Sequence, residues 1–250
     1  MRRFALLIAA SLGTGCYTSP PCYGNGTITV SWPSFQPATG PAVTGCPSGI
    51  LEVDVWMNGA PVSAFSCTDG GATITDVPPG SYVLTVEGLN ASGQILYRDE
   101  FSVTASSTCG DVFTSATPGQ GLVDLEYVFS PTNACVTPPS YMWFEIADLT
   151  LGNSGPTNVV AQVDDTTTPT AYSCNVPDPA HSGAIAPPFV LPSSGSFGYR
   201  LNWLEEHVPV SGGYSITAGD CSLPTFDVLP AQTTTVSSTL LDRTTSCPSP

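Results

Sequence analysis

Apolar and polar residues alternate with a period of two along much of this chain, and no stretch carries the 3.6-residue period of a long amphipathic helix. Ile28, Val30 and Trp32 fall on one face of a first predicted strand. Leu51, Val53, Val55 and Met57 fall on one face of the next, leaving Glu52, Asp54 and Trp56 on the other. A turn at residues 57–61 separates this strand from another at 62–66, and Thr68-Asp69-Gly70-Gly71 precedes a short strand at 72–77. After two prolines and a glycine, Tyr82, Leu84 and Val86 point one way and Val83, Thr85 and Glu87 the other. Residues 89–93 supply a further turn; Tyr97, Phe101 and Val103 continue a stripe that Asp99 interrupts. Val123, Leu125, Tyr127 and Phe129 read as the last strand of a first unit.

The skeleton Cys109, Pro118, Gln120, Cys135 returns as Cys221, Pro230, Gln232, Cys247, each at an offset of 112. Self-similarity at that distance predicts two tandem units. Phe65-Ser66-Cys67 is answered by Tyr172-Ser173-Cys174, and Pro79-Gly80-Ser81-Tyr82 by Ser194-Gly195-Ser196-Phe197. The expected division is a signal peptide at 1–15, a spacer at 16–26, a first domain at 27–130, a Pro-rich linker at 131–139 and a second domain at 140–250. Phe197, Tyr199, Leu201 and Trp203 are expected on one strand face of the second unit, with Trp32 and Trp203 in the cores. One register is out of step: after Gln232 the apolar residues Val236 and Leu240 stand at even positions, so a bulge or an exposed edge strand is expected there.

The chain has 25 Pro, 24 Gly and no lysine, a composition of short strands and many turns. Arg2-Arg3, the apolar run 4–12 and the small residues Gly13-Thr14-Gly15 form an export signal, too short to span a bilayer. Here the sequence resembles a bacterial lipoprotein signal ending in Gly15-Cys16, although Gly13 stands where that family prefers Leu. The resemblance implies acylation of Cys16 and an outer-membrane address; secretion with Cys16 free or paired is the alternative. Without residues 1–15 the chain holds 3 Arg against 20 Asp and Glu, a formal charge of −17. That charge argues against nucleic acid as a partner, and leaves attachment to membranes to the acyl chains rather than to a basic face.

Residues 76–86, Asp-Val-Pro-Pro-Gly-Ser-Tyr-Val-Leu-Thr-Val, resemble the turn-plus-strand signature of carboxypeptidase regulatory-like and transthyretin-like domains. The resemblance covers about residues 50–104 and implies a seven-stranded sandwich with a binding or structural role and no catalytic residue. The fold expected for the whole is therefore all-β, two tandem Ig-like/transthyretin-like Greek-key β-sandwiches stapled by disulfides. With its short signal and acidic, lysine-free mature chain, the protein also looks like lipoproteins of high-GC Gram-negative bacteria.

Beyond Cys16 the cysteines are Cys22, Cys46, Cys67, Cys109, Cys135, Cys174, Cys221 and Cys247, an even set that reads as disulfides in an exported chain. The hairpin around residues 57–61 favours Cys46–Cys67, and repeat symmetry favours Cys174–Cys221. Their spacing does not suit zinc, and no metal or other cofactor is expected. Motifs for a serine nucleophile, a zinc protease or a phosphate loop are missing, so no catalytic residue is assigned. Glu205-Glu206-His207 reads as a solvated patch, and His181 as loop. Trp56, sharing an outward face with Glu52 and Asp54, is the candidate ligand face, with packing between the units as its alternative. These readings favour a non-enzymatic binding or structural module at the cell envelope, with envelope proteins or polysaccharide as the candidate partners. The competing reading is a hydrolase or metal-dependent activity in the long loops of the second domain, where five prolines lie between Cys174 and Gly195.

Overall fold

A computed structural model describes residues 24–106, 110–130, 135, 140–150, 159–163, 172–174, 182–185, 188–220, 222 and 224–242. The signal region, Cys16, Cys22, Cys109, Cys221, Cys247, His181 and all of the expected linker except Cys135 lie outside these residues.

The first part of the chain forms β1 (Gly26–Ser31), β2 (Ser34–Phe35), β3 (Val43–Thr44), β4 (Glu52–Met57), β5 (Ala60–Ser66), β6 (Gly71–Val77), β7 (Gly80–Leu89), β8 (Ile95–Ala105) and β9 (Asp111–Ser115). Seven of these build two sheets, ordered β6-β1-β9 and β5-β4-β7-β8, while β2 and β3 pair separately. Alternation supplies the core: Ile28 and Val30 from β1 meet Val53 and Val55 from β4 and Leu84 and Val86 from β7, all at most 1% exposed. Trp32 is buried as expected, and its indole N–H donates to the Cys67 carbonyl at 3.0 Å. The β4–β5 turn places Asn58 and Gly59 at φ of 50° and 74°, the left-handed pair that a two-residue hairpin needs. A disulfide joins Cys46 to Cys67 beside this hairpin, the pair that its geometry favours.

The second part forms β10 (Gln120–Ser130), β11 (Tyr141–Asp148), β12 (Val159–Val163), β13 (Ser182–Ala184), β14 (Phe189–Pro192), β15 (Tyr199–Val210), β16 (Gly213–Asp220), β17 (Thr225–Phe226) and β18 (Thr233–Asp242). Their pairing runs β12-β11-β15-β16-β18-β10-β13, with β14 on β10 and β17 on β15. The run folds over a second core in which Val123, Leu125, Tyr127 and Phe129 of β10 face Met142, Phe144, Leu201 and Leu204. The two parts share one plan. A strand flanked by a parallel and an antiparallel neighbour (β1 between β9 and β6; β10 between β18 and β14) covers a four-stranded antiparallel sheet (β5-β4-β7-β8; β12-β11-β15-β16).

This plan departs from four sequence-based expectations. The strand at 120–130, expected to end the first unit, is the opening strand of the second core. We propose a division between β9 and β10 in place of one after residue 130. The 112-residue echo does not superpose equivalent strands either: its two copies, β10 and β18, lie side by side in parallel with Leu122 opposite Thr233 and Phe129 opposite Leu240. An offset of 111 puts odd positions of one strand beside even positions of the other, so both apolar sets face the same core without a bulge. Nor is β18 an edge strand, since it is held by β10 and, near its end, by β16. Fourth, Cys174 is bonded to Cys135 and not to Cys221. Repeat symmetry misled because equivalent positions in tandem units need not carry equivalent bridges.

Candidate binding cleft between the two sandwiches

Sheet register sets out the site. On the outer face of β4, β7 and β8, Asp54 lies opposite Glu87 and Glu87 opposite Arg98; one row along, Trp56 lies opposite Thr85 and Thr85 opposite Glu100. Residues in such rows are near neighbours across strands. An outward face of this composition is ordinarily solvated, yet Arg98 is 0%, Glu87 2% and Thr85 8% exposed, because the second sandwich covers them.

The first row is closed. Arg98 Nε donates to Glu87 Oε1 at 2.7 Å, and Nη2 stands 2.7 Å from Asp148 Oδ2 at the end of β11. The latter approach is short but misaligned for a hydrogen bond, so it counts as an ion pair only. Burial works against the Arg98 charge; Tyr199, Asp148 and Glu87 outweigh it and hold its pKa above the ordinary value. Burial likewise pushes the Tyr199 phenol up, and its hydroxyl donates to the Pro192 carbonyl at 2.8 Å. The backbone seals the same place: Arg98 and Gly119 exchange two hydrogen bonds, at 3.1 and 2.8 Å, so the connection between the sandwiches is stitched to β8.

The second row is open. Trp56, Asn58, Gly59, Val83, Thr85, Glu87 and Glu100 of the first sandwich face Thr150, Ser196 and Phe197 of the second around a cleft of about 390 Å³. Glu100 anchors the far wall, accepting from Ser196 N at 2.8 Å and from the Ser196 hydroxyl, while Thr85 Oγ1 donates to its other oxygen at 3.2 Å. Gly195 permits this grip, since a Cβ there would run into Thr150 and come within 2.8 Å of Glu100 Oε2. Phe197 stands at the mouth, 69% exposed, rather than on the core face expected of it. The Trp56 Nε1 and Thr150 Oγ1 atoms that border the cleft are buried without a hydrogen-bond partner.

Of the residues expected on the ligand face, Trp56 lines the cleft, and Asp54 and Glu52 continue along the same face of β4 outside it. The buried Asp54 Oδ1 lacks a hydrogen-bond partner, and its carboxyl is raised to about 6 by burial, then by the charge and hydrogen bonding of Glu52 and the charge of Glu87. Sequence reasoning passed over Arg98. The signal was there: it is the only cation between Arg3 and Arg200, at an outward strand position.

Elsewhere, Glu205, Glu206 and His207 are 5%, 1% and 7% exposed, which overturns the solvated patch. Glu205 Oε2 lies 3.0 Å from His207 Nε2, and the imidazole stacks on Trp143 with ring centroids 3.8 Å apart. Glu206 instead accepts from Thr217 Oγ1 at 2.6 Å and lies close to Cys135 and Cys174. Those sulfurs are committed to their disulfide and so do not present the thiolates a metal would take. Trp203 is half-buried against the second core.

No family model matches the chain, and no curated protein matches it. Among solved structures it is similar to a leucine-rich repeat protein from Bacteroides thetaiotaomicron at 12% identity and a TM-score of 0.33, covering 88% of this chain and 27% of that one. It is similar to a minor pilin of Streptococcus agalactiae at 15% identity and a TM-score of 0.29, covering 90% and 100%. A candidate adhesin from Bacteroides ovatus gives 9% identity and a TM-score of 0.33, covering 88% and 91%. This chain thus spans about a quarter of the first of these proteins. No helix among the described residues is long and apolar enough to cross a membrane.

Proposed function

We propose that this protein is an exported, non-enzymatic module of the cell envelope, held at the outer membrane by lipid on Cys16, that binds a partner through the cleft between its sandwiches. The observation that carries the reading is the cleft itself. It has an aromatic, apolar wall of Trp56, Val83 and Phe197 and a few polar groups converging on it, which is the common make-up of a recognition site. Phe197 stands exposed at its mouth, where its ring offers apolar surface for a ligand to cover. Two sandwiches welded at one end and parted at the other also hold both walls in place before a ligand arrives, which limits the ordering cost of binding.

The test uses the purified mature protein against envelope polysaccharide and envelope proteins. Trp56→Ala is expected to weaken binding at least about tenfold, on the scale of losing a buried aromatic anchor, while leaving the thermal midpoint within a few degrees of the parent. Undiminished binding would move the site elsewhere. A hydrolase screen runs in parallel, and turnover abolished by His207→Ala would overturn the non-enzymatic reading. Mass spectrometry of the mature chain decides the anchor: an N-terminal Cys16 carrying acyl chains is expected, and an unmodified one would refute it.

A further inference from the structure

We infer that the cleft recognises a cationic side chain, the alkylammonium of lysine or the guanidinium of arginine, presented by a partner protein. The inference rests on the cleft being a binding site. Its first support is charge. The face that forms the cleft floor and its continuation holds Glu52, Asp54, Glu87 and Glu100, with Asp148 packed on it from the second sandwich, and among the described residues Arg98 is the only cation there. Arg98 is wholly buried and already shared by Glu87 and Asp148. Among the described residues, Glu100 receives only neutral donors, Ser196 N, the Ser196 hydroxyl and Thr85 Oγ1. The chain has no lysine with which to balance this charge itself.

The second support is shape. A carboxylate set back between Trp56, Val83 and Phe197 suits a ligand with an apolar stem and a charged tip. Aromatic rings flanking the path of a cation add attraction through their faces.

The experiment uses n-butylammonium as the lysine mimic and n-butanol as its neutral counterpart, added to the full mature protein. The readout is the indole N–H resonance of Trp56, assigned by its loss in Trp56→Phe. Butylammonium is expected to shift that resonance saturably, at least about fivefold more tightly than butanol. The advantage should shrink in about 0.5 M salt because part of the cleft is open to screening. Glu100→Gln should lower butylammonium affinity about fivefold and leave butanol unchanged. Since that variant also touches the Ser196 contact, the salt titration on the unaltered protein stands as the independent check. Equal binding of butanol, or binding indifferent to salt, would overturn the cationic reading while leaving the cleft a binding site. If neither probe moves the Trp56 resonance, the cleft itself fails and the proposed function with it.

Discussion

The two rows on the outer face of the first sandwich start from similar chemistry and end differently. Asp54–Glu87–Arg98 and Trp56–Thr85–Glu100 are adjacent rungs of the same three strands. At the Arg98 rung the second sandwich supplies Asp148 and closes over it; at the Glu100 rung it supplies Thr150 and the tip of a loop, Ser196 and Phe197, and a cleft remains. The difference teaches that the buried charge is the hinge pin of the arrangement. Two carboxylates on one guanidinium gain less from association than an apolar contact of equal size, so their role is better seen as fixing register than as adding stability. With one end fixed, the other can stay open.

The hardest way to break this comparison is to remove the pin. Arg98→Met leaves Glu87 and Asp148 facing each other in the dry without a counter-ion, and unfolding free energy is expected to drop by about 3–5 kcal/mol. Chemical denaturation reads this directly. The triple variant Arg98→Met, Glu87→Met, Asp148→Leu should recover most of the loss, since an apolar replacement removes the stranded charges together. If the single substitution proves harmless, or the triple is as damaged as the single, the triad is not what holds the closed end.

A milder break acts at the open end. Gly195→Ala places a Cβ against Thr150 and Glu100, and displacing them should cost about 1–3 kcal/mol, the usual range for overpacking. Because the strain falls on the loop that carries Phe197, ligand affinity should suffer along with stability, whereas Arg98→Met should affect stability first. A Gly195→Ala protein with normal stability and normal binding would mean that the loop does not need its close approach to Glu100.

How much of this could be read from residues alone follows from what strand periodicity encodes. It gives the face of each residue: Val53 and Val55 inward, Asp54 and Trp56 outward, and Cys46 near Cys67 across a tight hairpin, all as found. It does not say which core an inward face meets. Val123, Leu125, Tyr127 and Phe129 alternate cleanly, yet nothing local distinguishes the end of one sandwich from the start of the next. The echo between Ser194–Phe197 and Pro79–Tyr82 failed for a related reason. The counterpart of Tyr82, whose hydroxyl donates to the Pro78 carbonyl at 2.7 Å, is Tyr199 with its bond to Pro192; the intervening loop is longer, so spacing pointed to Phe197. Burial of outward residues was least legible. Glu87 and Arg98 stand on a face that a lone sheet would expose, and the packing of Asp148's sandwich against it decides that they are covered, while His207 is covered by the ring of Trp143 on the neighbouring strand.

The smallest expected effect concerns Asp54, which ends the closed row on β4, next to the edge strand β5. Its folded-state pKa of about 6 lies above the ordinary 3.8, chiefly because burial disfavours the anion, with the carboxylates of Glu52 and Glu87 adding to it. A carboxyl with a raised pKa binds its proton more tightly in the folded than in the unfolded chain. Its contribution to stability is therefore most favourable below about pH 4, declines as pH rises towards 6, and is a constant penalty above that. The other acids of this chain also shape its stability curve, so the quantity to measure is the difference between the parent and Asp54→Asn, titrated from about pH 4 to 7 by denaturant unfolding. The parent should lose ground to the variant as pH rises through this window. Solvent screening at this half-buried site keeps the change modest. A flat difference would mean that Asp54 ionises like a solvated acid, and a difference of opposite sign would mean that a cation reaches it. In the second case the outer face extends the cation-binding surface beyond Glu100, and the Arg98 row is open to ligand at its Asp54 end.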